Sequence, residues 1–164
     1  MGLYFEDNVV GVSRDLGHFT FSRESVIAFA TEYDPQPFHL DDEAGRQSIY
    51  GALTASGWQT TAVWLRMLID ERNREADFMR FNGERPARYG PSPGFEKLKW
   101  IKPVFIGDTV RFTTKIIEKR DSKSRPEIGL LIFLNDGYNQ HGEHVFSLVS
   151  KMFVERRVPY KASE

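Results

Sequence analysis

The chain has 164 residues, with 22 basic and 23 acidic side chains that leave a net charge of −1, and 40% of its residues are hydrophobic. That length fits one domain with a sizeable core, and the charge balance supplies no field to draw in nucleic acid or an anionic membrane. Cysteine is absent, which excludes disulfides, thiolate metal sites and cysteine nucleophiles.

The first residues, Met1 to Asp7, lack the basic start and long apolar run of a signal peptide. No window reaches the roughly 18 apolar residues of a membrane span, so the reading is a soluble, cytoplasmic protein. A short strand is expected from Val9 to Ser13. Ser22 then reads as a helix N-cap, with Glu24 in the first turn where the helix dipole favours an acid. Val26, Phe29, Ala30 and Tyr33 recur at helical spacing, and Pro35 ends that helix.

The next residues, Tyr33-Asp34-Pro35-Gln36-Pro37-Phe38-His39, set an acid and a histidine on either side of two prolines. Each proline fixes its own φ and pushes the preceding residue out of the helical region, which predicts a stiff, extended segment. Aspartate and histidine together handle protons near neutral pH, and from such a loop both side chains can converge on one reacting atom. The same spacing serves a surface turn, and these residues alone leave the two readings open.

Asp41-Asp42-Glu43-Ala44 has the acidic start of a short second helix, ending near Gly45 or Ser48. From about Gly57 to Asn73, Thr60, Val63, Trp64, Met67 and Leu68 mark one helical face, while Ala62, Leu65 and Ile69 cover much of the rest. A helix apolar nearly all round is buried on several sides, so this one should be central, capped by Ser56 or Thr54. Residues 84–94 hold three prolines and two glycines and read as a long loop. Strands follow: Leu98 and Trp100 lead to an Ile106-Gly107-Asp108 turn, and Val110 to Ile116 alternates at period two. A charged hairpin loop spans Arg120 to Glu127. Gly129 to Leu134 and Val145 to Val154 are further strands, with turns at Asp136-Gly137 and His141-Gly142, and the tail from Arg156 reads as a frayed end. The order predicts an α+β fold, an antiparallel sheet of five or six strands around one long helix. Such a sheet leaves edges open, which edge-to-edge pairing in a homodimer or higher homo-oligomer would cover.

Three segments now carry a resemblance. Ala30-x-x-x-Asp34-x-Gln36-Pro37-x-His39, Ala52-Leu53-Thr54-Ala55-Ser56-Gly57 and Trp100-Ile101-Lys102-Pro103-Val104-Phe105-Ile106-Gly107-Asp108 together resemble the MaoC-like hydratase/dehydratase family across about Phe19 to Val154. The resemblance implies a single hot-dog domain over 1–164, usually dimeric, that adds water to a trans-2-enoyl thioester or removes it from a 3-hydroxyacyl thioester. It implies that Asp34 and His39 activate the water and protonate the α-carbon. The Gly57 amide, at a helix N-terminus, would stabilise the developing enolate. Gln36, Phe38, Ser56 and Trp58 are expected to line the substrate site. No metal or separate cofactor is implied; coenzyme A enters as part of the acyl-thioester substrate.

The family usually carries asparagine where this chain has Gln36. Arg85, Arg88, Lys97, Lys99 and Lys102 form a basic stretch that could meet coenzyme A phosphates or simply keep a strand edge soluble. His18, His141 and His144 have no acid at a telling spacing and match no metal pattern. A hot-dog thioesterase and a non-catalytic acyl-binding subunit are the alternatives. The first would place its acid on the central helix, which carries only Asp70 and Glu71 near its far end. The second predicts that Asp34 and His39 do not share a pocket.

Overall fold

The computed structural model describes residues 2–161. Strand β1, Ser13–Thr20, begins where the N-terminal strand was expected to end. Gly11 adopts φ +90°, so Val9, Val10 and Val12 lie in a turn and remain exposed. Helix α1, Arg23–Tyr33, is capped as expected, with the Ser22 side chain accepting from the Ser25 N–H. The segment after it is extended only as far as Gln36. Pro37 opens a single helical turn, α2, Pro37–Leu40. Proline's fixed φ suits the first position of a helix, where its missing N–H has no partner to lose. Helix α3, Asp42–Gln47, follows at once, and the Asp41 carboxylate caps it by accepting from the Glu43 and Ala44 N–H groups at 3.0 Å each.

Helix α4, Gly57–Phe81, has 25 residues and continues past the expected end at Asn73. Its apolar periodicity fades there, but Arg74 with Glu71 and Arg80 with Asp77 form i,i+3 ion pairs along the polar continuation. Trp64 and Leu68 are buried against the sheet, while Leu65 and Ile69 face outward. The helix is therefore covered on one side by its own chain, not on several.

Strands β2 (Phe95–Trp100), β3 (Thr109–Asp121), β4 (Ile128–Tyr138) and β5 (His144–Glu155) join β1 in one antiparallel five-stranded sheet of order β1-β3-β4-β5-β2. Asp136-Gly137 is not a turn but part of β4, and the chain reverses at Asn139 to Gly142. Phe21, Val26, Trp64, Phe112, Phe146 and Leu148 form the main core between α4 and the sheet. A second cluster of Phe5, Ile116, Leu131, Phe133, Met152 and Val154 extends it. Within the sheet, buried Asn135 accepts from the Thr114 hydroxyl at 2.8 Å and donates to the Leu148 carbonyl at 3.1 Å and the Ser150 hydroxyl at 3.0 Å. The chain after β5 is tied down as far as Tyr160 instead of fraying. The Tyr160 N–H donates to the Pro126 carbonyl at 2.8 Å, and the Arg156 guanidinium lies 4.5 Å from the centre of the Phe5 ring.

This is the hot-dog arrangement, one long helix laid against an antiparallel sheet. Among the described residues no helix is long and apolar enough to cross a membrane.

Candidate active site

Asp34 sits at the C-cap of α1, where its N–H still bonds the Ala30 carbonyl at 2.9 Å. His39 lies one short turn later on α2, its side chain 7% exposed. Between them the prolines turn the chain so that Asp34 Oδ2 stands 3.5 Å from His39 Nε2. The other face of the histidine meets the 53–56 segment. Nδ1 lies 2.7 Å from the Thr54 carbonyl oxygen, which can only accept, so Nδ1 carries the proton. In the neutral ring Nε2 then presents its lone pair to the carboxylate. Two acceptors that close are satisfied by protonation of the imidazole or by a donor with two protons, such as water.

Thr54 is itself held from both sides. Its N–H donates to the Phe38 carbonyl at 3.3 Å, and it forms a bridge with Phe105; the Ala55 N–H donates to the Val104 carbonyl at 2.8 Å. The Pro103 to Asp108 segment thus braces the strip of chain that orients His39.

Both carboxylate oxygens of Asp34 are engaged. Gln36 Nε2 donates to Oδ1 at 2.8 Å, and Ser56 Oγ donates to Oδ2 at 2.6 Å. Burial alone would raise the Asp34 pKa; the hydrogen bonds from Ser56 and Gln36, with the charge of His39, outweigh it and hold the carboxyl below its usual range. Ser56 has two duties, because the same Oγ accepts the Trp58 N–H at 3.1 Å and caps α4. Both residues were expected to line the substrate site. In the structure their direct polar contact is with the acid.

Gly57 opens α4, and its N–H has no intrahelical partner. The packing explains why this position is a glycine: a Cβ at Gly57 would lie 2.3 Å from Cδ2 of Trp100, so the indole already fills that space. Phe38 packs edge-on against His39 with ring centres 4.5 Å apart, and Trp58 meets Trp100 at 5.1 Å.

A cavity of about 530 Å³ joins these groups. All seven residues singled out from the sequence line it: Asp34, Gln36, Phe38, His39, Ser56, Gly57 and Trp58. Thr54 and Trp100 line it too and were not foreseen. Thr54 was expected only as a candidate cap of α4, a place that Ser56 takes; Trp100 opened the Pro103 segment but reaches the cavity through strand pairing. Asp70 and Glu71 do not line it.

The basic stretch does not form one patch. Arg85 and Arg88 both bind Glu155, whose carboxyl the Arg85 hydrogen bond holds down at about 2, and only Lys102 borders the cavity, paired with Glu143 at 2.5 Å. His144 does have an acid: Asp136 Oδ1 lies 2.8 Å from its Nε2 across the β4–β5 pair, outside the cavity lining. Among the described residues no three His, Asp or Glu side chains gather as a metal site would require.

The model of the MaoC-like domain matches residues 8–129. This chain belongs to the MaoC-like domain family. Its relatives include the uncharacterized protein YdeM of Bacillus subtilis, 26% identical over 135 residues that cover 82% of this chain and 86% of that protein. The crystal structure of the MaoC-like dehydratase from Rhodospirillum rubrum superposes with a TM-score of 0.79 at 34% identity, covering 95% of this chain and 99% of the other. A 64-residue stretch, 39% of this MaoC-like chain, is 36% identical to mesaconyl-CoA hydratase of Cereibacter sphaeroides but spans only 18% of that protein.

Proposed function

We propose that this MaoC-like protein is an enoyl-thioester hydratase, or in reverse a 3-hydroxyacyl-thioester dehydratase, acting on acyl-CoA-type substrates. The observation that carries the reading is the convergence of Asp34 Oδ2 and the lone pair of His39 Nε2, 3.5 Å apart, on the cavity that also holds the Gly57 amide. A water between the two donates one hydrogen bond to each. As its oxygen bonds the β-carbon, the proton on the other side passes to Nε2, and the π electrons move onto the thioester oxygen. The Gly57 N–H and the α4 N-terminus stabilise that oxygen, and as the carbonyl re-forms the α-carbon takes the proton back from His39 Nε2. The names of the Rhodospirillum and Cereibacter relatives support this class of reaction. A thioesterase is disfavoured because no acid of α4 borders the cavity. The assembly we propose is a homodimer in which the free edge of β2 and the outward Leu65 and Ile69 of α4 are covered by a second copy.

The deciding assay follows crotonyl-CoA at the absorbance of its conjugated double bond. Loss of that absorbance with no free thiol is the expected result. Thiol release without hydration would overturn the reading.

Two positioning residues give a second test. Ser56→Ala and Gln36→Leu each remove a donor from Asp34, so its folded pKa should rise. Activity that needs the ionised carboxylate is then lost at a higher pH as the solution is acidified, and the acid limb of the pH–rate profile moves upward. Misplacing the acid should also lower kcat by up to about 10²-fold. An acid limb that stays put in both variants would remove this role.

A further inference from the structure

Edge strand β2 sends one aromatic side chain into the cavity. Trp100 pairs with Phe146 on β5, and that register turns its indole toward α4. Three contacts fix the ring there. A Cβ on Gly57 would lie 2.3 Å from Cδ2, 2.5 Å from Cε2 and 2.7 Å from Cγ, so the ring face fills the space over the glycine. The indole Nε1–H donates to Thr61 Oγ1 at 3.1 Å, one turn along α4. The Trp58 ring meets it edge-on, centres 5.1 Å apart and planes at 77°.

The first turn of α4 therefore presents its leading N–H beside a fixed wall of two indoles. A carbonyl oxygen bonded to the Gly57 N–H would sit about 2.9 Å from the nitrogen, in the cavity that Trp100 also lines. Trp100 is 44% exposed, so it is these contacts with Gly57, Thr61 and Trp58, not burial, that hold the indole in place. The strand edge, not the catalytic loop, sets how much room that end of the site offers.

We propose that Trp100 is a specificity-determining residue: its indole walls the cavity beside the Gly57 amide and restricts the site to short, unbranched acyl thioesters. This rests on the hydratase reading for its assay but not for its geometry.

The test compares wild type, Trp100→Phe and Trp100→Ala on crotonyl-CoA, trans-2-octenoyl-CoA and 2-methylcrotonyl-CoA. Wild type should favour crotonyl-CoA. Trp100→Ala should raise kcat/KM for the two bulkier esters, relative to crotonyl-CoA, by about tenfold or more. Trp100→Phe, which keeps a ring over Gly57 but loses the bond to Thr61, should fall between. If the alanine variant does not melt cooperatively, the phenylalanine variant carries the comparison. The same preference among all folded variants overturns the proposal. If wild type hydrates none of the esters, the hydratase reading has failed separately, and calorimetric binding of butyryl-, octanoyl- and 2-methylbutyryl-CoA takes the place of turnover. Relaxed selectivity in the variants then supports the wall, and unchanged selectivity overturns it.

Discussion

Replacing His39 with alanine is expected to lower hydration of crotonyl-CoA by about 10²- to 10⁴-fold, the range for loss of a positioned acid–base group. The imidazole is the one cavity group whose lone pair faces Asp34, and the Thr54 carbonyl fixes which nitrogen presents it. Removal has a structural cost as well. The Thr54 carbonyl loses a buried donor, at about 1–3 kcal/mol, and the space left beside Phe38 stays unfilled. His39→Gln separates the two effects, because an amide N–H can still donate to Thr54 but cannot serve as a base at neutral pH. Both variants should be inactive, with the glutamine variant melting closer to wild type. Wild-type turnover in a cooperatively folded His39→Gln protein would eliminate the histidine from the chemistry.

Gly45→Ala is expected to cause a marked loss of stability. Gly45 lies buried in α3, and an added Cβ would stand 2.5 Å from the Leu53 nitrogen, 2.7 Å from the Ala52 carbonyl carbon and 2.7 Å from the Leu53 Cα. All three are backbone atoms, so no rotamer change relieves the clash. Overpacking of this kind costs about 1–3 kcal/mol. At roughly 2–4 °C per kcal/mol for a chain of this size, the melting temperature should fall by about 2–12 °C. Activity should fall too, since the strip pushed aside leads directly into Thr54 and Ser56. Gly83→Ala is the comparison: its φ of +75° strains an alanine, but nothing lies within 4 Å of the added carbon, and the cavity is remote. A Gly45→Ala protein that melts with wild type would mean that α3 and the 52–53 segment slide apart freely.

What could be read from the sequence was local chemistry. Ser22 and Ser56 announce helix starts because a hydroxyl before an apolar run has one good use there, and the acids at 41–43 mark the start of α3 in the same way. The Asp34 to His39 stretch stood out because prolines constrain their neighbours. Pro37 was misjudged for the same reason, since its fixed φ is as compatible with the first helical turn as with an extended chain. Long-range placement was not legible. Trp100 reaches Gly57 through a strand register that pairs it with Phe146, and His144 finds Asp136 across a hairpin. The end of α4 was hidden as well, because polar residues continue a helix through ion pairs that apolar periodicity does not record.

The buried Asn135 amide bears on how this sheet finds its register. Pairing β4 one residue out of step would turn Asn135 to the opposite face. A slip of two would set it against Phe112 or Ile116, neither of which offers a polar partner, in place of Thr114. The two-residue slips therefore strand an amide that the native pairing satisfies, at about 1–3 kcal/mol. A leucine at this position would remove that penalty from the wrong pairings along with the bonds in the right one. Asn135 thus acts as a proofreading mark on the strand, and the register does not depend on the apolar residues around it alone.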